Sequence, residues 1–286
     1  MEFGAGIFED FDFLKTSPFP LVQESKNIGL SLGLPQWGLP EWKGIIYPKD
    51  LKPQDFLEHF AKLYSCVEVS STFYASVEHR TLEGWKEKVG AHFKFLPKWP
   101  KRLTHELQLQ ASSKEIKSFV ESMELLNPHL GTTILQLPSS FSYEHRRALF
   151  LFLEQIPKGF PICLELRHSS WFESRGLRER LYQYLCQREI GLVVTDTPQR
   201  RDLFHLNSSG PQFLVRYLSD GVESTDEMRL LWWKKALSEY ENKTNCFFIF
   251  HKPNNILTPE LAQYLDHGLE KTRKELIDNS EQLGLF

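Results

Sequence analysis

Cys163-Leu164-Glu165-Leu166-Arg167-His168-Ser169-Ser170-Trp171 has the pattern of a buried strand that ends in a run of chemically active side chains. Leu164 and Leu166 share one parity, and Glu165 and Arg167 share the other. Strand alternation therefore puts apolar groups on one face and opposite charges on the other. That pattern fits the wall of a closed parallel barrel, whose outer face packs on helices and whose inner face points into a lumen. His168 and Trp171 then fall in the loop beyond the carboxyl end. A structural ion pair between Glu165 and Arg167 on an edge strand is the competing reading, and repetition of the pattern elsewhere decides between them.

Working outward, seven more apolar runs rich in β-branched and aromatic residues precede or follow this one. They are Ile28 to Leu34, Cys66 to Ser71, Phe93 to Lys98, Thr133 to Leu137, Leu192 to Thr195, Phe213 to Tyr217 and Cys246 to His251. With Ile162 to Arg167 they make eight strands, separated mostly by segments with helical spacing, the signature of repeated βα units and a parallel sheet. Phe56, Leu57, Phe60 and Leu63 form one apolar stripe, and Ile116, Phe119, Val120 and Met123 another. A last helix is expected with Thr258 as N-cap and Pro259 in its first turn. Pro198 to Pro211, between strands six and seven, reads as a loop without a full helix. The fold class is α/β, a single (β/α)8 TIM-type barrel over residues 28–277. A phenylalanine-rich extended arm (1–27) precedes it and a polar tail (278–286) follows.

Composition sets the outer limits. A chain of 286 residues is ordinary for one α/β barrel, and the 41% hydrophobic and 25% charged fractions are those of a globular protein. No apolar run approaches the roughly 20 residues a membrane span needs, and Met1-Glu2-Phe3-Gly4 does not open a secretory signal, so a cytoplasmic location is expected and no membrane partner. Cys66, Cys163, Cys186 and Cys246 are widely spaced and read as reduced thiols of the fold. A net charge of −3 argues against a broad nucleic-acid footprint and leaves room only for a local basic patch. His59, His92, His129 and His145 read as surface residues.

The chemistry of such a barrel sits at the carboxyl ends of its strands. Strand two carries Glu68 near its end and leads to Tyr74; strand three ends in Lys98, with Trp99, Arg102 and His105 following. Strand four carries Gln136, strand five Glu165, Arg167 and His168 with Trp171, and strand six Asp196. Arg216 belongs to strand seven and His251 to strand eight. So many polar groups at one end are costly to bury unless they pair or bind something. Glu68, Lys98, Glu165, Arg167, His168, Asp196 and Arg216 are taken as the catalytic candidates. Glu68, Glu165, Asp196, His168 and His251 are also residue types of a divalent-metal site. No His-x-x-x-His spacing occurs, however, and the cations at the same rim favour a metal-free ion-pair lattice. There is no strong metal or nucleotide-cofactor motif. Arg102 and Trp99 could serve a phosphate and a stacked base, while Arg200, Arg201 and His205 on the helix-poor loop form a second anion clamp or simply pin that loop.

Several ordered motifs resemble those of the YecE-like family, domain of unknown function seventy-two. They are Trp42-Lys43-Gly44 with Tyr47-Pro48, Val67 to Tyr74, Phe93-Lys94-Phe95 with Lys98, Thr104-His105, Leu135 to Pro138, and Glu165 to His168 with Trp171; Thr195-Asp196 and Arg200-Arg201-Asp202 resemble its later motifs. The resemblance runs from about Gly33 to Leu265, is less typical at the first strand, and implies a TIM-type barrel whose matched polar residues, Trp42 among them, line one pocket.

The chain ends in Gln282-Leu283-Gly284-Leu285-Phe286, which resembles the peptide by which bacterial replication and repair proteins dock on the DNA polymerase sliding clamp. Gln282, Leu283, Leu285 and Phe286 are the expected partner-binding residues, two leucines and a terminal Phe suiting an apolar groove. The competing reading folds them back on the barrel. Two functions are carried forward. The first is a hydrolase or phosphodiesterase-like enzyme acting on a phosphate-bearing substrate, nucleic acid being one candidate, with Glu165 or Glu68 as base. The second is a non-catalytic binding adaptor recruited to the clamp through the tail.

Overall fold

The computed structural model describes residues 29–205, 209–238 and 245–265. The arm over 1–27 and the tail over 278–286, with its Gln282-to-Phe286 peptide, lie outside the described residues.

Eight parallel strands run β1 (Leu30–Leu34), β2 (Cys66–Val69), β3 (Lys94–Pro97), β4 (Thr133–Gln136), β5 (Ile162–Glu165), β6 (Gly191–Asp196), β7 (Gln212–Leu218) and β8 (Asn245–His251). Their order around the sheet is β3-β2-β1-β8-β7-β6-β5-β4, and the bridges Phe95↔Leu130 and Lys98↔Ile134 join the two ends. The sheet is a TIM-type barrel. Seven α-helices are described: α1 (Phe56–Leu63), α2 (Ser71–Tyr74), α3 (His79–Glu87), α4 (Ser113–Glu124), α5 (Arg146–Glu154), α6 (Arg175–Gln187) and α7 (Glu223–Ser238). The two apolar stripes read from the sequence are the buried faces of α1 and α4. A capping box between Ser112 and Glu115 starts α4, the serine side chain accepting from the Glu115 N–H while the glutamate accepts from Ser112. Between β6 and β7 the described chain holds only a 3₁₀ segment, Pro198–Leu203.

Two ends of the chain's pattern differ from expectation. Strand β5 stops at Glu165, so Arg167 stands beyond it and is exposed. The segment after β8 is a 3₁₀ helix, Asn255–Tyr264, and its cap is Asn254, whose side chain accepts from the Ile256 N–H at 3.1 Å. Thr258 is not the cap; it is buried within that helix. His129 is not a surface residue either, being buried with Nδ1 3.0 Å from the Phe93 carbonyl.

The barrel interior explains where the site sits. Cys66, Leu96, Ile134, Cys163, Val193, Leu214, Phe247 and Ile249 form their own buried cluster, separate from the larger core between sheet and helices. Strand β1 reaches this level with Gly33, where a Cβ would lie 2.3 Å from the Cys66 carbonyl oxygen, so the strands approach too closely there for any side chain. Side chains two residues further along a strand face the same way. One step up from the apolar layer therefore come Glu68, Lys98, Gln136, Glu165, Thr195, Arg216 and His251, all at the carboxyl mouth.

Candidate active site at the carboxyl mouth

Arg216 stands at the centre of that polar layer. Its Nη1 donates to both oxygens of Glu165, at 3.0 and 2.9 Å, while Nε donates to Glu68 Oε2 at 3.1 Å. Lys98 Nζ lies 2.6 Å from Glu68 Oε1, and His251 Nε2 lies 3.2 Å from Glu68 Oε2. Glu165 also accepts from Gln136 Nε2 at 2.7 Å and from Thr195 Oγ1 at 3.1 Å; Glu68 accepts from Ser70 Oγ at 3.3 Å. Two buried carboxylates thus balance one guanidinium and one ammonium. The layer reaches solvent through Lys98, 11% exposed, and His251, 19% exposed.

The protonation states follow from these neighbours. Burial pushes the Glu68 carboxyl up, but Arg216, Lys98 and His251 outweigh it and hold it well below the ordinary carboxylate range. Glu165 is held low in the same way against burial, by Arg216, Arg167, Lys98 and the Gln136 hydrogen bond. Burial, then Arg216, lowers the His251 imidazole despite Glu68 beside it. Glu68 and Glu165 are accordingly ionised and His251 neutral at pH 7. Among the described residues no group of three or more His, Cys, Asp and Glu side chains converges as a metal centre. The donor set itself points elsewhere, since Arg216 and Lys98 occupy the carboxylate oxygens a cation would use.

Other sequence candidates sit at the rim or outside it. Arg167 is exposed and close enough to act on the charge of Glu165. His105, half-buried, has Nδ1 2.8 Å from Thr104 Oγ1 and stands edge-on to Phe73 at 5.2 Å. Arg102 pairs with Glu115 at 3.0 Å, and Tyr74 is 78% exposed. Both line an open groove of about 1100 Å³ between α2, the turn after β3 and α4. His168 caps the 3₁₀ turn Ser169–Trp171, its Nδ1 accepting from the Ser170 N–H at 3.2 Å.

The remaining candidates are not brought to the mouth. Asp196 has the parity opposite to Thr195 and points outward, where it pairs with Arg229 at 3.0 Å, accepts from Trp233 Nε1 at 2.7 Å and binds Arg201. Trp42, Trp99 and Trp171 are fully buried and offer no ring to a ligand. Their indole N–H groups donate to Asn255 O, Thr133 Oγ1 and Phe141 O respectively. Arg200 closes on Asp202 with two hydrogen bonds, of 2.9 and 2.8 Å. His205 is buried against Phe172, and burial lowers its pKa to about 4. The second anion clamp is therefore a set of loop pins. Thr195 and Ser70, which do join the lattice, were not among the candidates. Counting two residues on from the apolar layer picks Thr195 over Asp196.

A parallel barrel whose mouth is closed by a buried ion-pair lattice defines the class of this protein. The family model described as "Protein of unknown function DUF72" matches residues 31–283, and the chain belongs to that family. It is 27% identical over 264 residues to the UPF0759 protein YecE of Escherichia coli strain K12, an alignment covering 86% of this chain and 94% of that protein. Among solved structures, a DUF72 family protein from Enterococcus faecalis superposes with a TM-score of 0.69 at 20% identity, covering 84% of this chain and 95% of that one. A DUF72 family protein from Thermotoga maritima gives 0.65 at 22% identity, covering 85% and 99%. These two share the fold. No helix among the described residues is long and apolar enough to cross a membrane.

Proposed function

We propose that the protein is a cytoplasmic, hydrolase-like enzyme acting on a phosphate-bearing substrate at the carboxyl mouth of the barrel. The observation that carries this reading is the guanidinium of Arg216 shared between two buried carboxylates, with Lys98 and His251 as the members that reach solvent. The oxygens of Glu68 and Glu165 are already engaged, so neither carboxylate serves as the base. Their part is to hold Arg216 and Lys98 as fixed donors, and fixed donors stabilise charge developing on a substrate without reorganising. The Lys98 ammonium has three N–H donors and gives one to Glu68, leaving others for phosphate oxygens. Arg167 adds a planar donor fork at the rim. The neutral imidazole of His251 is the group suited to proton transfer.

The test is turnover of p-nitrophenyl phosphate and bis(p-nitrophenyl) phosphate by wild-type and Lys98→Met protein, with inorganic phosphate as competitor. Wild type should hydrolyse at least one ester. Lys98→Met should weaken phosphate inhibition about ten- to a hundredfold, as expected for loss of a hydrogen bond to a charged group. A wild-type protein that binds neither phosphate nor ester overturns the reading.

The carboxyl-terminal Gln282-Leu283-Gly284-Leu285-Phe286 supports a second reading, a non-catalytic adaptor that captures a ligand or nucleic-acid end and is recruited to the sliding clamp. Binding without turnover, together with displacement of a labelled clamp ligand by a peptide of the last ten residues, would favour it.

A further inference from the structure

Two imidazoles belong to the surroundings of Lys98: Glu68, which Lys98 meets at 2.6 Å, has His251 Nε2 at 3.2 Å on its other oxygen, and His105 is on the helical turn that follows Lys98 in the chain. His251, at the end of β8, feels the charges of Arg216, Glu68 and Lys98; His105, on the helical turn Arg102–Glu106 after β3, feels those of Arg167, Lys101, Glu165 and Lys98. Because β1 and β2 lie between β8 and β3 around the barrel, the two rings are carried by separate elements of the mouth. Each has one nitrogen committed, His105 Nδ1 to Thr104 Oγ1 at 2.8 Å and His251 Nε2 at 3.2 Å from Glu68 and 3.3 Å from Arg216. A substrate would have to meet each ring at its other nitrogen. From His105 an aromatic series leads away from the mouth, with Phe73 edge-on at 5.2 Å and Tyr74 edge-on to Phe73 at 5.1 Å. Phe73 and Tyr74 line the open groove of about 1100 Å³ together with the cations Lys101, Arg102 and Lys114 and the carboxylates Glu78, Glu106 and Glu115, the last of them paired with Arg102. Exposed aromatic faces next to cations are the surface on which single-stranded nucleic acid stacks and lays its backbone.

We propose that the mouth cleaves single-stranded RNA: Lys98 holds the scissile phosphate, His251 and His105 form the acid–base pair, and the Tyr74 groove takes neighbouring bases. The inference rests on the phosphate-ester reading above and narrows it to one nucleophile, the substrate's own 2′-hydroxyl. The two carboxylates of the lattice are engaged and are not free bases for water, whereas an internal nucleophile already has the advantage of proximity. One imidazole takes the 2′-hydroxyl proton as O2′ bonds to phosphorus. The P–O5′ bond breaks, and the other imidazole, protonated, gives its proton to O5′. A 2′,3′-cyclic phosphate and a 5′-hydroxyl result, and no co-reactant enters the balance. The step needs one ring neutral and one protonated. Burial lowers both rings below the ordinary 6.5, helped at His251 by Arg216 and Lys98 against Glu68, and at His105 by Arg167, Lys101 and Lys98 against Glu165. The kcat/KM of free enzyme therefore peaks below pH 6.5 and falls as pH rises and the acid loses its proton.

The experiment uses full-length protein and three labelled oligonucleotides of one sequence: RNA, DNA and fully 2′-O-methylated RNA. Anisotropy reads binding and mass spectrometry reads products. All three should bind, RNA alone should be cut, and its fragments should carry 2′,3′-cyclic phosphate. His105→Gln and His251→Gln should each lower kcat about 10²- to 10⁴-fold, with KM moved far less. Thermal unfolding checks that the variants fold; His105 is at the half-buried rim, so its variant keeps the test decisive if that of His251 unfolds. Cleavage of DNA as well, leaving phosphomonoester ends, overturns the inference and leaves the phosphate-ester reading standing. So does turnover of the nitrophenyl esters with no oligonucleotide cut. Binding of all three with no cleavage of oligonucleotide or ester overturns both.

Discussion

Arg216 divides its guanidinium between two carboxylates that would be hard to keep buried without it. Removing one member of a buried charge group typically costs about 3–5 kcal/mol, because the partners left behind are unpaired. Arg216→Leu should therefore lower stability by about that amount in chemical denaturation, with Arg216→Lys in between because it restores the charge without the fork. The pH sign follows from the direction of the shifts. Glu68 and Glu165 have folded pKa values below the unfolded value near 4.5, so their stabilisation is complete above that pH and is lost as pH falls through the folded values. The gap between wild type and Arg216→Leu should shrink below pH 4.5, and an equal midpoint at neutral pH would contradict the lattice. At this scale the sequence was half legible. Glu68, Lys98, Glu165 and Arg216 meet as their strand positions required, whereas Asp196 and Trp99 each sit one residue from an inward-facing neighbour and so face out. A residue's place at a strand end says that it is near the mouth; only parity says which side of the wall it is on.

The strands were readable because each is a short apolar run bounded by turn residues, and a barrel buries both faces of every strand. Their ends shifted by a residue or two, which matters at β5, where Arg167 lies outside the ladder and becomes a rim group instead of a lattice member. Helices α1 and α4 followed their apolar stripes. The segment after β8 misled for a local reason. Thr258-Pro259 has the form of a helix start, but Asn254 caps the chain four residues earlier and the Pro ends up inside a 3₁₀ helix. The loop after β6 also hid its purpose. Arg201 grips Asp196, which Arg229 of α7 also holds, with Nη2 donating to the Asp196 carbonyl at 2.9 Å, so a charge that suggested an anion clamp instead ties its loop to β6.

Across the whole molecule, one closed sheet brings groups from β2, β3, β5, β7 and β8 to a common mouth, although Glu68 and Arg216 are 148 residues apart in the chain. Bringing such distant groups together is what a barrel does and a linear motif does not, which is why no local ligand spacing announced the site. The lattice is neutral within itself, and the exposed Arg167 adds its charge close to Glu165, so the mouth as a whole favours an anion. The most direct test is a titration of the full-length protein with inorganic phosphate, followed through the imidazole NMR signals of His251 and His105. The account predicts that both rings shift in a saturable way and that their pKa values rise when the anion binds, with both effects much weakened in Lys98→Met. Imidazole signals that stay fixed while phosphate is raised to saturation, or that respond equally in Lys98→Met, would contradict it.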